Sequence, residues 1–153
     1  MKKVIRNMSL IVAFGLIAFL GLLAFIRLAP SDPAVWHIDP SAAYTWPQGQ
    51  QWDEVVPLKG RAVLRLSPEK GAPGELLARL DAVAVATPST QILTGSVAEG
   101  RITWITRSAL WGFPDYTTAE ARDDGLYVYG RLRFGRADGG VNARRLTDWL
   151  ARL

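Results

Sequence analysis

Residues 8–26 read MSLIVAFGLIAFLGLLAFI, nineteen positions without a charge, and no other stretch limits the architecture as strongly. At the helical rise this run is roughly 28 Å long, close to the hydrocarbon thickness of a bilayer. A core helix of a water-soluble domain would carry a polar stripe, and none is present. A cleaved secretory signal is the alternative. Signals usually have a shorter apolar region followed by a small-x-small cleavage site. Here Ala29 sits between Arg27 and Pro30, a poor cleavage context. The run is therefore read as an uncleaved anchor that meets the lipid bilayer through residues 8–26. Lys2, Lys3 and Arg6 precede it and only Arg27 closely follows it. That asymmetry puts the N-terminus in the cytoplasm and residues 28–153 outside; in a bacterium this means the inner membrane, with the domain in the periplasm.

The anchor also changes how the charge is read. The formal charge is +4, which taken alone suggests nucleic acid. Four of the 18 basic residues and none of the 14 acidic ones lie within residues 1–27. The rest of the chain is neutral, so no nucleic-acid partner is expected. There is no cysteine and only one histidine, His37, so neither disulfides nor a metal site nor a cofactor is expected. His37 is read as structural or solvent-facing.

Three parts follow: residues 1–29, a basic flank and anchor; 30–53, a connector rich in proline and tryptophan; and 54–153, a folded domain. Pro30, Pro33, Pro40 and Pro47 forbid a continuous helix through the connector, so it is expected to run extended. Trp46 and Trp52 are expected to pack on the domain, and Trp36 is left open between domain and membrane interface. Within the domain, residues 56–67 alternate as one strand. Leu76, Leu77, Leu80, Val83 and Ala84 then recur at helical spacing after Pro73. Residues 91–97 and 102–108 read as one hairpin, and 115–122 and 126–134 as a second, turning at Asp123, Asp124 and Gly125. In the last strand Leu126, Val128, Leu132 and Phe134 fall on one face, and Tyr127, Tyr129, Arg131 and Arg133 on the other. Asn142 is a suitable N-cap for a final helix with Leu146, Trp149, Leu150 and Leu153 on its apolar face. The fold class is α+β: an antiparallel sheet with helices covering one face, preceded by a single membrane helix.

Two motifs stand apart: TRSALWGFPD (106–115) and RFGRADGGVNARR (133–145). The first offers Arg107, Ser108, Gly112, Phe113, Pro114 and Asp115; the second offers Arg133, Gly135, Asp138, Gly140, Asn142 and Arg145. In this arrangement, from roughly residue 72 to the end, the chain resembles the bacterial family known as domain of unknown function 1499. Ala137 and Gly139 stand where the family pattern has serine and leucine. The resemblance implies a fold and no reaction.

The candidate site is the polar set Arg107, Arg133, Asp138, Asn142 and Arg145. One reading makes it an anion niche, with the arginines aided by free N–H groups at a helix N-terminus. The other makes it a clamp in which Asp138 caps the turn, Asn142 caps the helix and an arginine ties helix to sheet. The clamp is preferred, because charges inside a fold are usually paired. Gly135, Gly139 and Gly140 are read as sites of positive φ. No catalytic residue is assigned: Ser108 has no histidine within the domain to serve as its base. Trp111 and Phe113 are candidate partner contacts, with core packing as the equal alternative. The chain is thus read as a membrane-anchored binding or accessory protein for a membrane or envelope partner. The alternative is a carrier of a small anionic or amphiphilic ligand held by the arginines.

Overall fold

The computed structural model describes residues 2–43, 46 and 52–153; Pro47, counted above in the connector, lies outside them. The elements are α1 (Lys2–Leu28), α2 (Pro33–Trp36), β1 (Val55–Leu58), β2 (Arg61–Leu66), α3 (Pro73–Val85), β3 (Thr90–Ser96), β4 (Arg101–Arg107), β5 (Pro114–Arg122), β6 (Gly125–Leu132) and α4 (Val141–Leu150). All neighbouring strands are antiparallel, in the order β1-β2-β6-β5-β4-β3. The α+β class holds, and α1 is a single helix long and apolar enough to cross a membrane.

Residues 56–67 are two strands and not one. The chain turns at Lys59 and Gly60, and Val56 pairs back onto Val63. Gly60 makes the turn possible at φ +71°, where a Cβ would also lie 2.7 Å from Leu132 Cδ2. Pro57 is tolerated because β1 is an edge strand. The last strand is shorter than its alternation suggested. It ends at Leu132, so Phe134 leaves the Leu126 and Val128 face and packs instead near Phe25 and Phe113.

One face of the sheet carries the core. Ala62, Leu64, Leu66, Ile102, Trp104, Ala119, Leu126 and Val128 pack against Leu76, Leu77, Leu80 and Ala84 of α3 and Leu146 and Trp149 of α4. Alternation sends Val63, Thr103, Ile105, Tyr116, Thr118, Tyr127, Tyr129 and Arg131 to the opposite face, and these are buried too. Their cover is the connector. Trp36 stacks on Tyr116 with ring centroids 3.8 Å apart. His37 Nδ1 lies 2.9 Å from Thr103 Oγ1, and Asp39 pairs with Arg122. Trp46 and Trp52 meet Tyr127 edge-on, and the Arg65 guanidinium lies over both indoles. Burial, then the nearby Arg101 charge, lowers the His37 pKa, which favours the neutral ring.

The described residues of the connector therefore form a second layer over the sheet. They are not extended throughout either. Pro33 starts the helical turn α2, where its missing N–H costs nothing, and Asp32 caps that turn through the Ala34 N–H.

Candidate functional site

The polar set divides between the two faces, and strand parity is the reason. On β4, Arg107 alternates with Thr103 and Ile105 and so points to the connector face. Asp115 lies opposite Thr106 on β5 and so faces α4.

On the helix face, Asp138, Asn142, Arg145 and Asp115 form one continuous network. Asp138 Oδ2 accepts from the Asn142 backbone N–H (2.9 Å) and side-chain amide (2.8 Å), and Oδ1 accepts from Gly140 N–H (3.1 Å). The buried Asn142 then accepts from Arg145 Nη1 at 2.7 Å, and Arg145 Nη2 pairs with Asp115 at 3.0 Å. Asn142 is not the cap that its residue type suggested. Gly139 and Gly140 both take positive φ, the helix starts at Val141, and the capping role passes to Asp138. Asn142, one step inside the helix, packs its side chain where a Cβ on Gly130 would lie 3.2 Å away.

The two carboxylates differ in their titration. Burial would raise the Asp138 pKa, but its hydrogen bonds from Asn142 and Gly140 outweigh burial and hold it below the ordinary value. Burial raises the Asp115 pKa, and Arg145 only partly offsets it. Replacing Asp138 by alanine is expected to cost about 1 kcal/mol, the usual worth of a cap. The first turn of α4 should then exchange its amides faster. Because the folded pKa is depressed, Asp138's contribution is present above the unfolded carboxylate value and is lost as pH falls through the folded one. The wild-type and alanine chains should accordingly converge in stability in acid, checked by denaturant titration at several pH values.

Arg133 is elsewhere. Its Nη1 donates to the Pro30 carbonyl (3.0 Å), the Ala29 carbonyl (3.4 Å) and Tyr116 Oη (3.1 Å). Ser31 Oγ lies 2.6 Å from the same Tyr116 hydroxyl. Arg133 thus ties the end of α1 to the sheet. Arg107 donates to the Gly112 carbonyl at 3.1 Å, closing the 108–113 loop, where Ser108 Oγ also accepts from Phe113 N–H. The three arginines therefore serve three different places.

The 108–113 loop sits against the end of α1. Arg27 Nη2 donates to the Leu110 carbonyl at 3.2 Å, and Trp111 meets Phe19 edge-on at 6.0 Å. Two cavities flank the loop and share Ser108. One, of about 280 Å³, is lined by Trp111, Phe113, Leu132, Phe134 and Val141, together with Asp115 and Asp138. The other, of about 330 Å³, lies among Arg27, Arg107, Ser89, Thr90 and Gln91.

Two residues escaped the sequence reading. Arg131 is buried, and its guanidinium lies over the rings of Trp36 and Tyr129. It donates to the Trp36 carbonyl and, among the described residues, forms no ion pair. Burial lowers its pKa. The Tyr-x-Tyr-x-Arg alternation on β6 was the available signal. Arg27 was read only as a flank of the apolar run, although that position is what brings it to the 108–113 loop.

The family model described as Protein of unknown function (DUF1499) matches residues 48–153, and the chain belongs to that family. The match starts earlier than the motifs implied and takes in Trp52 and the first hairpin. No curated protein and no solved structure matches the chain.

Proposed function

We propose that this family member is a single-pass, membrane-anchored binding protein whose domain works at the bilayer surface, without catalysis, as an accessory to a membrane-embedded partner. The charge asymmetry about the anchor favours a cytoplasmic N-terminus at a bacterial inner membrane, with the domain in the periplasm. Retention of the anchor is supported by its contacts. Ile26 and Ala29 are buried, and cleavage near Ala29 would strip away a layer that Arg133 and the 108–113 loop hold.

The observation that carries the reading is the meeting of Trp111 with Phe19, a residue inside the apolar run. In this reading the exposed Leu110 and the half-exposed Trp111 and Phe113 lie at the membrane interface, where tryptophan is favoured. The largely apolar cavity that Trp111 and Phe113 line supports an apolar segment in the bilayer as the partner in this reading.

A photo-crosslinking residue at position 111 of the intact chain, in native membranes, should yield an adduct with one membrane polypeptide. A Phe113→Ala background should weaken that adduct several-fold while circular dichroism stays unchanged. Adducts with lipid alone, or a protein adduct indifferent to Phe113, would overturn the partner.

The carrier reading has one observation in its favour, the polar and apolar cavities that meet at Ser108. Arg133 and Arg145 line neither, which leaves Arg107 as the only arginine of the original set in a position to hold an anion.

A further inference from the structure

We propose that the polar cavity between the end of α1 and the β3–β4 side of the sheet is a binding site for the phosphodiester of a membrane phospholipid. The inference rests on the membrane-anchored reading and gives the carrier reading a definite ligand class.

The cavity, about 330 Å³, is lined by two guanidinium-bearing residues, Arg27 and Arg107, with Ser89, Thr90, Gln91 and Ser108. No carboxylate lines it. Arg101, Arg122 and Arg145 are each paired with an acid. Among the described residues, neither Arg27 nor Arg107 forms an ion pair. Each donates one hydrogen bond to a backbone carbonyl, of Leu110 and of Gly112. A guanidinium carries five N–H donors, so both keep capacity for a further acceptor. Two such groups lining one cavity with the serines Ser89 and Ser108 match a tetrahedral, doubly bridging anion better than a single carboxylate.

Position selects the source of that anion. Arg27 is the first charge after the apolar run, the point at which an arginine reaches lipid headgroups. Gly112 is what allows Arg27 to lie across the loop: its φ is +73°, and a Cβ there would stand 2.9 Å from Arg27 Cγ. Leu110, 73 % exposed at the same loop, supplies an apolar neighbour for the glyceryl and upper acyl region.

The test uses the full chain in nanodiscs of zwitterionic lipid with or without an anionic phospholipid, released for native mass spectrometry. The wild-type chain should retain phospholipid, and Arg107→Gln should retain roughly tenfold less, in line with the loss of a charge-assisted hydrogen bond. Gln91→Glu is the second variant. That side chain makes no hydrogen bond among the described residues, and a negative charge there should repel the phosphodiester without disturbing the fold. A parallel titration of detergent-solubilised protein with inorganic phosphate separates the sources. Tight phosphate binding without lipid retention would assign the site to a soluble anion. Equal lipid retention by wild type, Arg107→Gln and Gln91→Glu would overturn the site altogether. The position-111 adduct described above is independent of Gln91→Glu, which lies outside the 108–113 loop that Arg107 closes, so that variant separates loss of one result from loss of the other.

Discussion

Arg145→Ala is expected to destabilise the domain by about 3–5 kcal/mol, the cost of removing one partner from a buried ion pair. The Arg145 and Asp115 side chains are only 10 % and 14 % exposed, and they meet at 3.0 Å. Truncation would strand the Asp115 carboxylate near Asp138 and deprive the Asn142 carbonyl of its donor. The double variant Arg145→Met with Asp115→Leu should be far less damaging, because it removes both charges together. The pH dependence has a definite sign. Burial, the largest cause, already raises the Asp115 pKa in the fold, and loss of Arg145 raises it further. A carboxylate with a raised folded pKa costs stability at neutral pH, and that cost fades as pH falls through the folded value toward the unfolded one. The gap between Arg145→Ala and wild type should therefore narrow in acid. Urea titrations from neutral to mildly acidic pH would check this, and a gap that widens would refute the assignment.

Trp149→Ala should have a comparable effect, about 3–5 kcal/mol, through the cavity it leaves. Trp149 and Trp104 are 1 % and 0 % exposed and meet edge-on at 5.8 Å. Their ring nitrogens reach in different directions: Trp149 Nε1 donates to Thr87 Oγ1 and Trp104 Nε1 to Asp81, each at 2.9 Å. One indole thus joins α4 to the segment after α3, and the other joins β4 to α3. Trp149→Phe should recover most of the loss, because the Thr87 hydroxyl keeps its bond to the Val83 carbonyl. A shift of the urea midpoint at constant m-value is the expected signature.

How far the residues alone reveal this arrangement varies with the range of the signal. The long apolar helix α1 was legible because nineteen uncharged positions admit few other solutions. The β3–β4 and β5–β6 hairpins and both domain helices were legible from periodicity and turn chemistry. The first hairpin was not, since Lys59 and Gly60 form a turn without the usual dipeptide signal, inside a stretch that alternates well enough to pass as one strand. That Asp138, Asn142 and Arg145 lie near one another was legible, because they belong to one turn-and-helix segment. Asp115 joins them from thirty residues away, through a face that only the β5 register determines. Parity also sent Arg107 to the other side of the sheet. The buried Arg131 was missed because its partners, Trp36 and its carbonyl, come from the connector.

The connector's course has a mechanical consequence. A free linker of its length would let the domain wander roughly 27 Å from its attachment point, by random-coil scaling. Here the described residues of the connector are held against the sheet. The carbonyls of Ala29 and Pro30 are held by Arg133 directly beyond α1, Ser31 is held by Tyr116, and the next dozen residues lie along the sheet. Under the membrane-anchored reading proposed above, the domain would not reach into the aqueous space for a distant target; it would drift sideways with α1 at a fixed height and meet whatever else diffuses in the same plane.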